Sequence, residues 1–75
     1  MPYVSIKTFP RDKEAGKRVV EQIQEVLMKN WDIPADYISI SLEEIAPEDW
    51  DSRVQIPEID ARPEIMMIKD GKKLY

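Results

Sequence analysis

The sequence contains neither cysteine nor histidine among its 75 residues. A disulfide framework, a thiol nucleophile and an imidazole base are therefore excluded, and an ordinary zinc site lacks its usual ligands. The only two glycines, Gly16 and Gly71, lie too far apart for a phosphate-binding loop. No apolar run approaches the roughly 20 residues that cross a bilayer, and the amino terminus lacks a signal-peptide layout. Together with the absence of cysteine, these features lead us to expect a cytoplasmic protein without a membrane partner.

The charge of the chain argues against nucleic acid as a partner. The formal net charge is −4, from 15 acidic and 11 basic residues. Binding of nucleic acid needs a concentrated basic face, whereas these basic residues are spread along the chain. A chain of this length is one domain near the lower limit for a self-sufficient core. Such chains often complete the core by forming oligomers.

Apolar spacing predicts a single β-α-β unit. Residues 3–9 alternate between apolar and polar, as in a half-buried strand, and residues 37–43 repeat that pattern. Between them, residues 13–30 carry apolar side chains at three- and four-residue spacing, which predicts an amphipathic helix with Asp12 as its N-cap. These apolar positions are Ala15, Val19, Val20, Ile23, Val26 and Leu27. Two strands joined by one helix are parallel, with a right-handed crossover.

One such unit leaves a sheet face and both sheet edges uncovered. The predicted fold class is therefore α/β (α+β in some classifications), with two copies sharing a four-stranded sheet. The remaining third is predicted as a C-terminal extension, in which Pro57 interrupts spaced apolar residues. Pro63 is predicted to open a short helix that contains Ile65, Met66 and Ile68, and Asp70–Gly71 to form a turn.

Several stretches together resemble the 4-oxalocrotonate tautomerase family over roughly residues 2 to 50. They are MPYVSIKTFPR at the start, an Asp-X-Pro at 32–34, and SISLEEIAPEDW at 39–50. The opening, the last of these stretches and the tail are similar to a longer branch, the phenylenolpyruvate-type tautomerases. The resemblance implies one tautomerase-like domain over 1–75 that works without a cofactor. It also implies a homo-oligomer, with a dimer favoured and a hexamer as the alternative.

The resemblance also implies a set of site residues. The amino-terminal proline of the family is the general base and then the general acid, so that role falls on Pro2 once Met1 is removed. Arg11 matches the arginine that binds a substrate carboxylate, and Trp50 matches the aromatic residue that closes the pocket. Ser39 stands where the type enzyme has a second arginine. That departure favours a small monocarboxylate, such as a 2-hydroxydienoate or an enolpyruvate, over a dicarboxylate.

Elementary chemistry agrees with a proline base. An α-amine has an ordinary pKa near 7.7–8.0, and a prolyl amine is somewhat more basic. Burial and a nearby Arg11 both disfavour the ammonium form and lower the pKa of Pro2 towards neutrality, where a general base works best. Charge on the enolate oxygen needs a donor, for which Ser39, Lys7 and a backbone amide are all candidates.

Two other functions stay open at this point. A proline-dependent hydration or dehalogenation of a 3-haloacrylate needs a carboxylate to activate water, and Glu43 or Glu44 is available. A non-catalytic oligomeric binding or scaffold domain is the alternative from a different class. A retained Met1 or an occluded pocket favours the scaffold, whereas the enzyme requires a processed amino terminus beside an apolar cavity.

Overall fold

The computed structural model describes residues 1–75 as two compact units, 1–45 and 46–75. The first unit contains strand β1 (Tyr3–Thr8), helix α1 (Lys13–Trp31) and strand β2 (Ser39–Glu44). This confirms the predicted β-α-β unit. The single domain over 1–75 stays a prediction.

The second strand begins two residues later than predicted. Ala35–Tyr37 form one turn of 3-10 helix instead, closed by hydrogen bonds from Tyr37 N–H to Pro34 O (3.2 Å) and from Ile38 N–H to Ala35 O (3.1 Å). The prediction that the strand begins at Tyr37 was therefore wrong for that residue. A single turn directly before a strand leaves the alternation of apolar residues intact, so the sequence pattern does not reveal it.

Strands β1 and β2 are parallel, with Tyr3 opposite Ser39 and Thr8 opposite Glu44. Because side chains alternate along a strand, this register gives the sheet one apolar and one polar face. The apolar face carries Val4, Ile6, Ile40 and Leu42, and the polar face carries Tyr3, Ser5, Lys7, Ser39, Ser41 and Glu43. Helix α1 covers the apolar face, and a Cβ built on Gly16 of α1 would lie only 2.9 Å from Leu42 Cδ2.

Helix α1 is capped as its sequence predicts. The side chain of Asp12 accepts a hydrogen bond from Ala15 N–H at 3.0 Å, which satisfies one of the unpaired N–H groups of the first turn. The helix ends at Trp31, and its C-cap, Asp32, has a φ of 54° in the left-handed region. No residue of α1 is fully buried, and Val19 and Val26 are 46% and 56% exposed.

The second unit is built from short elements. A 3-10 turn at Pro47–Asp49 precedes a wide, π-type helix at Asp51–Asp60, and a second 3-10 turn lies at Pro63–Ile65. Strands β3 (Ile68–Lys69) and β4 (Lys72–Lys73) then form an antiparallel hairpin. Its turn contains Asp70 and Gly71, both with positive φ, as predicted.

The helix predicted from Pro63 onward is shorter than expected. It ends at Ile65, and Met66 has an extended backbone. Ile68 lies in β3, and Leu74 N–H donates to Met67 O at 2.8 Å. The pairing of β3 with β4 therefore takes the place of the helix that was predicted beyond Ile65.

Very little of the chain is fully buried. Ile45 in the first unit and Val54 in the second are the only buried apolar residues, while Val26 of α1, Ile56 of the π-helix and Ile68 of β3 are each more than half exposed. The folded chain therefore leaves an unusual share of its large apolar side chains in water.

No helix in the structure combines the length and the apolar character needed to cross a bilayer.

Candidate active site

Pro2 lies at the open end of β1 and is half-buried. Its carbonyl oxygen accepts a hydrogen bond from the Ser39 N–H at 3.2 Å, which ties it to the first residue of β2. Met1 precedes it and is 96% exposed. The sheet thus holds Pro2 by its carbonyl, while the residue on its nitrogen projects into solvent.

Arg11 lies beyond the other end of β1, just before α1. Its main-chain N–H donates to Glu44 Oε2 at 2.9 Å, and its Nε donates to Thr8 Oγ1 at 3.5 Å. The first contact fastens the β1–α1 connection to the last residue of β2. Arg11 itself is exposed, so its guanidinium is accessible to an anion.

The structure brings Ser39 to Pro2 but does not bring Arg11 there within one copy. The six residues of β1 separate Pro2 from the connection that carries Arg11. At about 3.3 Å per residue they span about 20 Å. A single copy therefore does not supply both groups to one small substrate.

A cavity of about 500 Å³ lies beside Arg11, between the first turns of α1 and strand β2. Its apolar wall is formed by Val20, Ile40 and Leu42, and Arg11 and Lys17 stand among its lining residues. Asp12 and Glu44 line it as well, so the charged rim has both signs, while the apolar wall suits the apolar body of a small ligand. Pro2 does not line this cavity.

The polar face of the sheet carries a hydroxyl cluster that the sequence did not indicate. Tyr3 Oη and Ser41 Oγ lie 2.8 Å apart, and Lys7 Nζ donates to Ser5 Oγ at 3.2 Å. Hydrogen bonds from Ser41 and then Ser5 hold the pKa of Tyr3 below its ordinary value of 10.0. Ser39 and Lys7, two of the candidate enolate donors, belong to this face.

The carboxylates considered for water activation are differently placed. Glu44 is engaged by the Arg11 N–H, at the end of the sheet away from Pro2. Glu43 lies opposite Lys7 on the polar face. Neither arrangement aims a carboxylate at the end of the sheet where Pro2 lies.

Trp50 belongs to the second unit and immediately precedes the π-helix. Its indole Nε1–H donates to Gln55 Oε1 at 3.3 Å, and Gln55 Nε2 donates to Asp60 Oδ1 at 3.0 Å. Asp60 Oδ1 also lies 3.2 Å from Lys69 Nζ. The hydrogen bond from Gln55, followed by that from Lys69, lowers the pKa of the Asp60 carboxyl below its ordinary value of 3.8.

Gln55 and Asp60 were not singled out from the sequence. Their signal is the five-residue spacing from Trp50 to Gln55 to Asp60, which has no meaning on an α-helix. It matters only on a helix whose backbone hydrogen bonds span five residues.

Comparison with known proteins decides the family. Residues 2–54 match a family model described as "Tautomerase enzyme". The chain belongs to the tautomerase family. Its β-α-β unit is accordingly a tautomerase fold, and the resemblance found in the sequence is confirmed.

Relatives in the tautomerase family cover nearly the whole chain. "Tautomerase PptA" of Cronobacter sakazakii is 28% identical over 76 residues, which cover 99% of this chain and 100% of the relative. The protein of the same name from an Enterobacter species is 32% identical over 73 residues, 95% of this chain and 96% of the relative. That of Escherichia coli O127:H6 is 33% identical with the same coverage. Membership supports tautomerase-type activity in general.

Proposed function

We propose that this chain is a cofactor-independent keto–enol tautomerase, an isomerase whose general acid and base is Pro2 after removal of Met1. The observation that carries the proposal is the family match, which begins at Pro2 itself. The 96% exposure of Met1 supports its access to an aminopeptidase. The hydrogen bond between Pro2 O and Ser39 N–H then holds the freed amine in place.

The reaction requires one proton to move from oxygen to carbon. The Pro2 amine takes the proton from the enol hydroxyl, and the resulting ammonium returns a proton to carbon, which leaves the keto acid and the free amine. Arg11 binds the substrate carboxylate, which fixes the reacting carbon near the nitrogen. Ser39, Lys7 or a backbone amide stabilises the charge that builds on the enolate oxygen.

A site that contains both Pro2 and Arg11 takes the arginine from a second copy, because about 20 Å of strand separates them within one chain. The proposed assembly is a homodimer with a shared four-stranded sheet, with a hexamer as the alternative. The open edges of the two-stranded sheet and the exposed Val19 and Val26 support such an assembly, because a second copy would cover them.

The proposed substrates are small monocarboxylates of the 2-hydroxydienoate or enolpyruvate type. Ser39 in place of a second arginine leaves no obvious partner for a second carboxylate. The apolar wall beside Arg11, formed by Val20, Ile40 and Leu42, accommodates an aryl or alkyl group. A cytoplasmic location stays a prediction.

The first experiment is the intact mass of the protein followed by ketonisation of phenylenolpyruvate, measured by absorbance in the same sample. The proposal expects a mass that lacks Met1 and an activity that disappears in Pro2→Ala. Arg11→Ala should raise KM much more than it lowers kcat. A chain that retains Met1 and is inert would instead support the scaffold function.

Mixing the two variants, assayed at a substrate concentration far below the KM of Arg11→Ala so that each alone has little activity, tests the shared site. Pro2→Ala and Arg11→Ala chains, unfolded and refolded together, should recover about a quarter of the wild-type activity, because half the dimers are mixed and each contains one intact site. No recovery above the activity of the separate variants would show that both residues act from one chain, and a variant that is active before mixing would show that its residue is not needed.

A processed amino terminus without ketonisation would point to another substrate or to the hydration and dehalogenation chemistry. In that case turnover of a 3-haloacrylate that is lost in Glu43→Gln or Glu44→Gln would identify the activating carboxylate.

A further inference from the structure

Three side chains of the second unit form a ladder with a constant five-residue step. Trp50 Nε1 donates to Gln55 Oε1 at 3.3 Å, and Gln55 Nε2 donates to Asp60 Oδ1 at 3.0 Å. Lys69 of β3 ends the ladder with a 3.2 Å contact to the same Asp60 oxygen. We call these four residues the Trp50 ladder.

The ladder depends on the width of the helix that carries it. On an α-helix, residues five apart point about 140° away from each other, since each residue turns the chain by about 100°. In a π-helix the backbone bonds themselves span five residues, as in the bond from Ala61 N–H to Ile56 O at 3.1 Å. Side chains five apart therefore lie on neighbouring turns of nearly the same face.

The two ends of the Gln55 amide have fixed roles in this arrangement. A Trp indole only donates and an ionised carboxylate only accepts. Asp60 therefore selects the Nε2 end of Gln55, which leaves Oε1 facing the indole of Trp50. A flipped amide would set donor against donor at Trp50 and acceptor against acceptor at Asp60. The salt bridge to Lys69 fixes the position of the Asp60 carboxylate in turn.

We propose that Gln55 and Asp60 are positioning residues that hold the indole of Trp50 in the orientation needed to close the substrate pocket. This inference rests on the proposed function and on the family resemblance, which assigns to Trp50 the closing of the substrate pocket. Gln55 acts directly on Trp50, and Asp60 acts only through Gln55. The π-helix of this segment brings these residues into one line.

The first test needs no enzyme activity. The chain has two tryptophans, so a Trp31→Phe background leaves Trp50 as the only emitter. In that background Gln55→Met, which keeps the length of the side chain but removes both hydrogen bonds, should shift Trp50 emission to the red and lower its anisotropy. Asp60→Asn, a smaller change that disturbs folding less, should move both quantities in the same direction by a smaller amount.

A matched control lies on the same helix outside the ladder. Glu58→Gln removes a carboxylate that lies 3.9 Å from Arg62 and has no place in the 50–55–60 line. Its Trp50 emission should equal that of the background. If Gln55→Met also leaves the emission and the anisotropy unchanged, the ladder does not hold Trp50 and the inference is overturned.

The second test connects the ladder to catalysis. For phenylenolpyruvate, loss of one neutral hydrogen bond at Trp50 should raise KM in Gln55→Met about three- to tenfold, with kcat changed less than about twofold. Because Asp60 acts through Gln55, the Gln55→Met/Asp60→Asn double variant should be no worse than Gln55→Met alone. Additive effects on KM would overturn the proposed order of action.

The proposed function and the positioning role of Gln55 can be refuted separately. A wild-type protein that shows no ketonisation refutes the proposed function, and Trp50 emission then decides the ladder by itself. An active wild type whose Gln55→Met variant keeps its KM refutes the positioning role and leaves the tautomerase intact.

Discussion

Gly16 offers the sharpest test of how α1 packs on the sheet. Replacing glycine by alanine inside a helix normally stabilises it by about 1 kcal/mol. Here the added Cβ would lie 2.9 Å from Leu42 Cδ2, whereas carbon atoms in good contact are about 3.5–4.0 Å apart. The gain in helix propensity and the steric cost therefore oppose each other.

The structure places the steric cost at the low end of its range. Overpacking typically costs about 1–3 kcal/mol. The clashing atom is the tip of a flexible side chain, Leu42 is 42% exposed, and it borders the cavity of about 500 Å³ into which it can turn. We expect a cost near 1 kcal/mol, so Gly16→Ala alone should leave the free energy of unfolding nearly unchanged.

A double-mutant cycle separates the two contributions. In a Leu42→Ala background the clash is absent, so Gly16→Ala should raise the free energy of unfolding by about 1 kcal/mol. The assay is urea unfolding followed by circular dichroism, at one fixed chain concentration because an oligomer's stability depends on it. An equal effect of Gly16→Ala in both backgrounds would refute the reasoning.

Gly71 provides the matched control for this experiment. It has a φ of 79° and no atom within 4 Å of an added Cβ. Gly71→Ala should therefore lower the free energy of unfolding by about 1–2 kcal/mol through backbone conformation alone, whatever residue occupies position 42.

Three further predictions follow from single contacts. Asp12→Ala should lower the free energy of unfolding by about 1 kcal/mol, since it removes the N-cap of α1, and Asp12→Asn should restore most of it. Ser41→Ala should raise the pKa of Tyr3 towards 10.0, measured by ultraviolet titration against the unsubstituted protein. Because the pKa of Asp60 is lower in the folded chain than its ordinary 3.8, its stabilising contribution is full above that value and is lost as the pH falls through the folded pKa. As the pH is lowered from about 5 to about 3, the free energy of unfolding of Asp60→Asn should therefore fall less than that of the wild type.

Much of the first unit could be predicted from the sequence because its causes are local. Apolar periodicity fixed the order strand, helix, strand, and Asp12 marked the start of α1. The errors fell at element ends. Tyr37 belongs to a single turn before β2, which is closed by local hydrogen bonds that an apolar pattern does not reveal. Ile68 pairs with Lys73 in a hairpin instead of continuing a helix, because a contact outside the short stretch decides that case.

In the candidate site, too, some features could be predicted from the sequence and others could not. Pro2, Arg11, Ser39 and Trp50 became candidates through the resemblance to a known family, and the family match covers all four. Their roles stay predictions. Which of these side chains lie close together did not follow from the motifs, because positions along a chain do not specify contacts between distant segments.

The sequence by itself therefore determined the β-α-β unit, the cap of α1 and the family resemblance, since each depends on residues within one turn, one strand or one motif. The tertiary structure alone decided the register that pairs Tyr3 with Ser39 and brings the Tyr3 hydroxyl to Ser41, and the close approach of Gly16 to Leu42. It also decided the line from Trp50 through Gln55, because only a helix of unusual width aligns residues five apart. Each of these depends on contacts between distant segments or on a backbone form that local preferences do not specify.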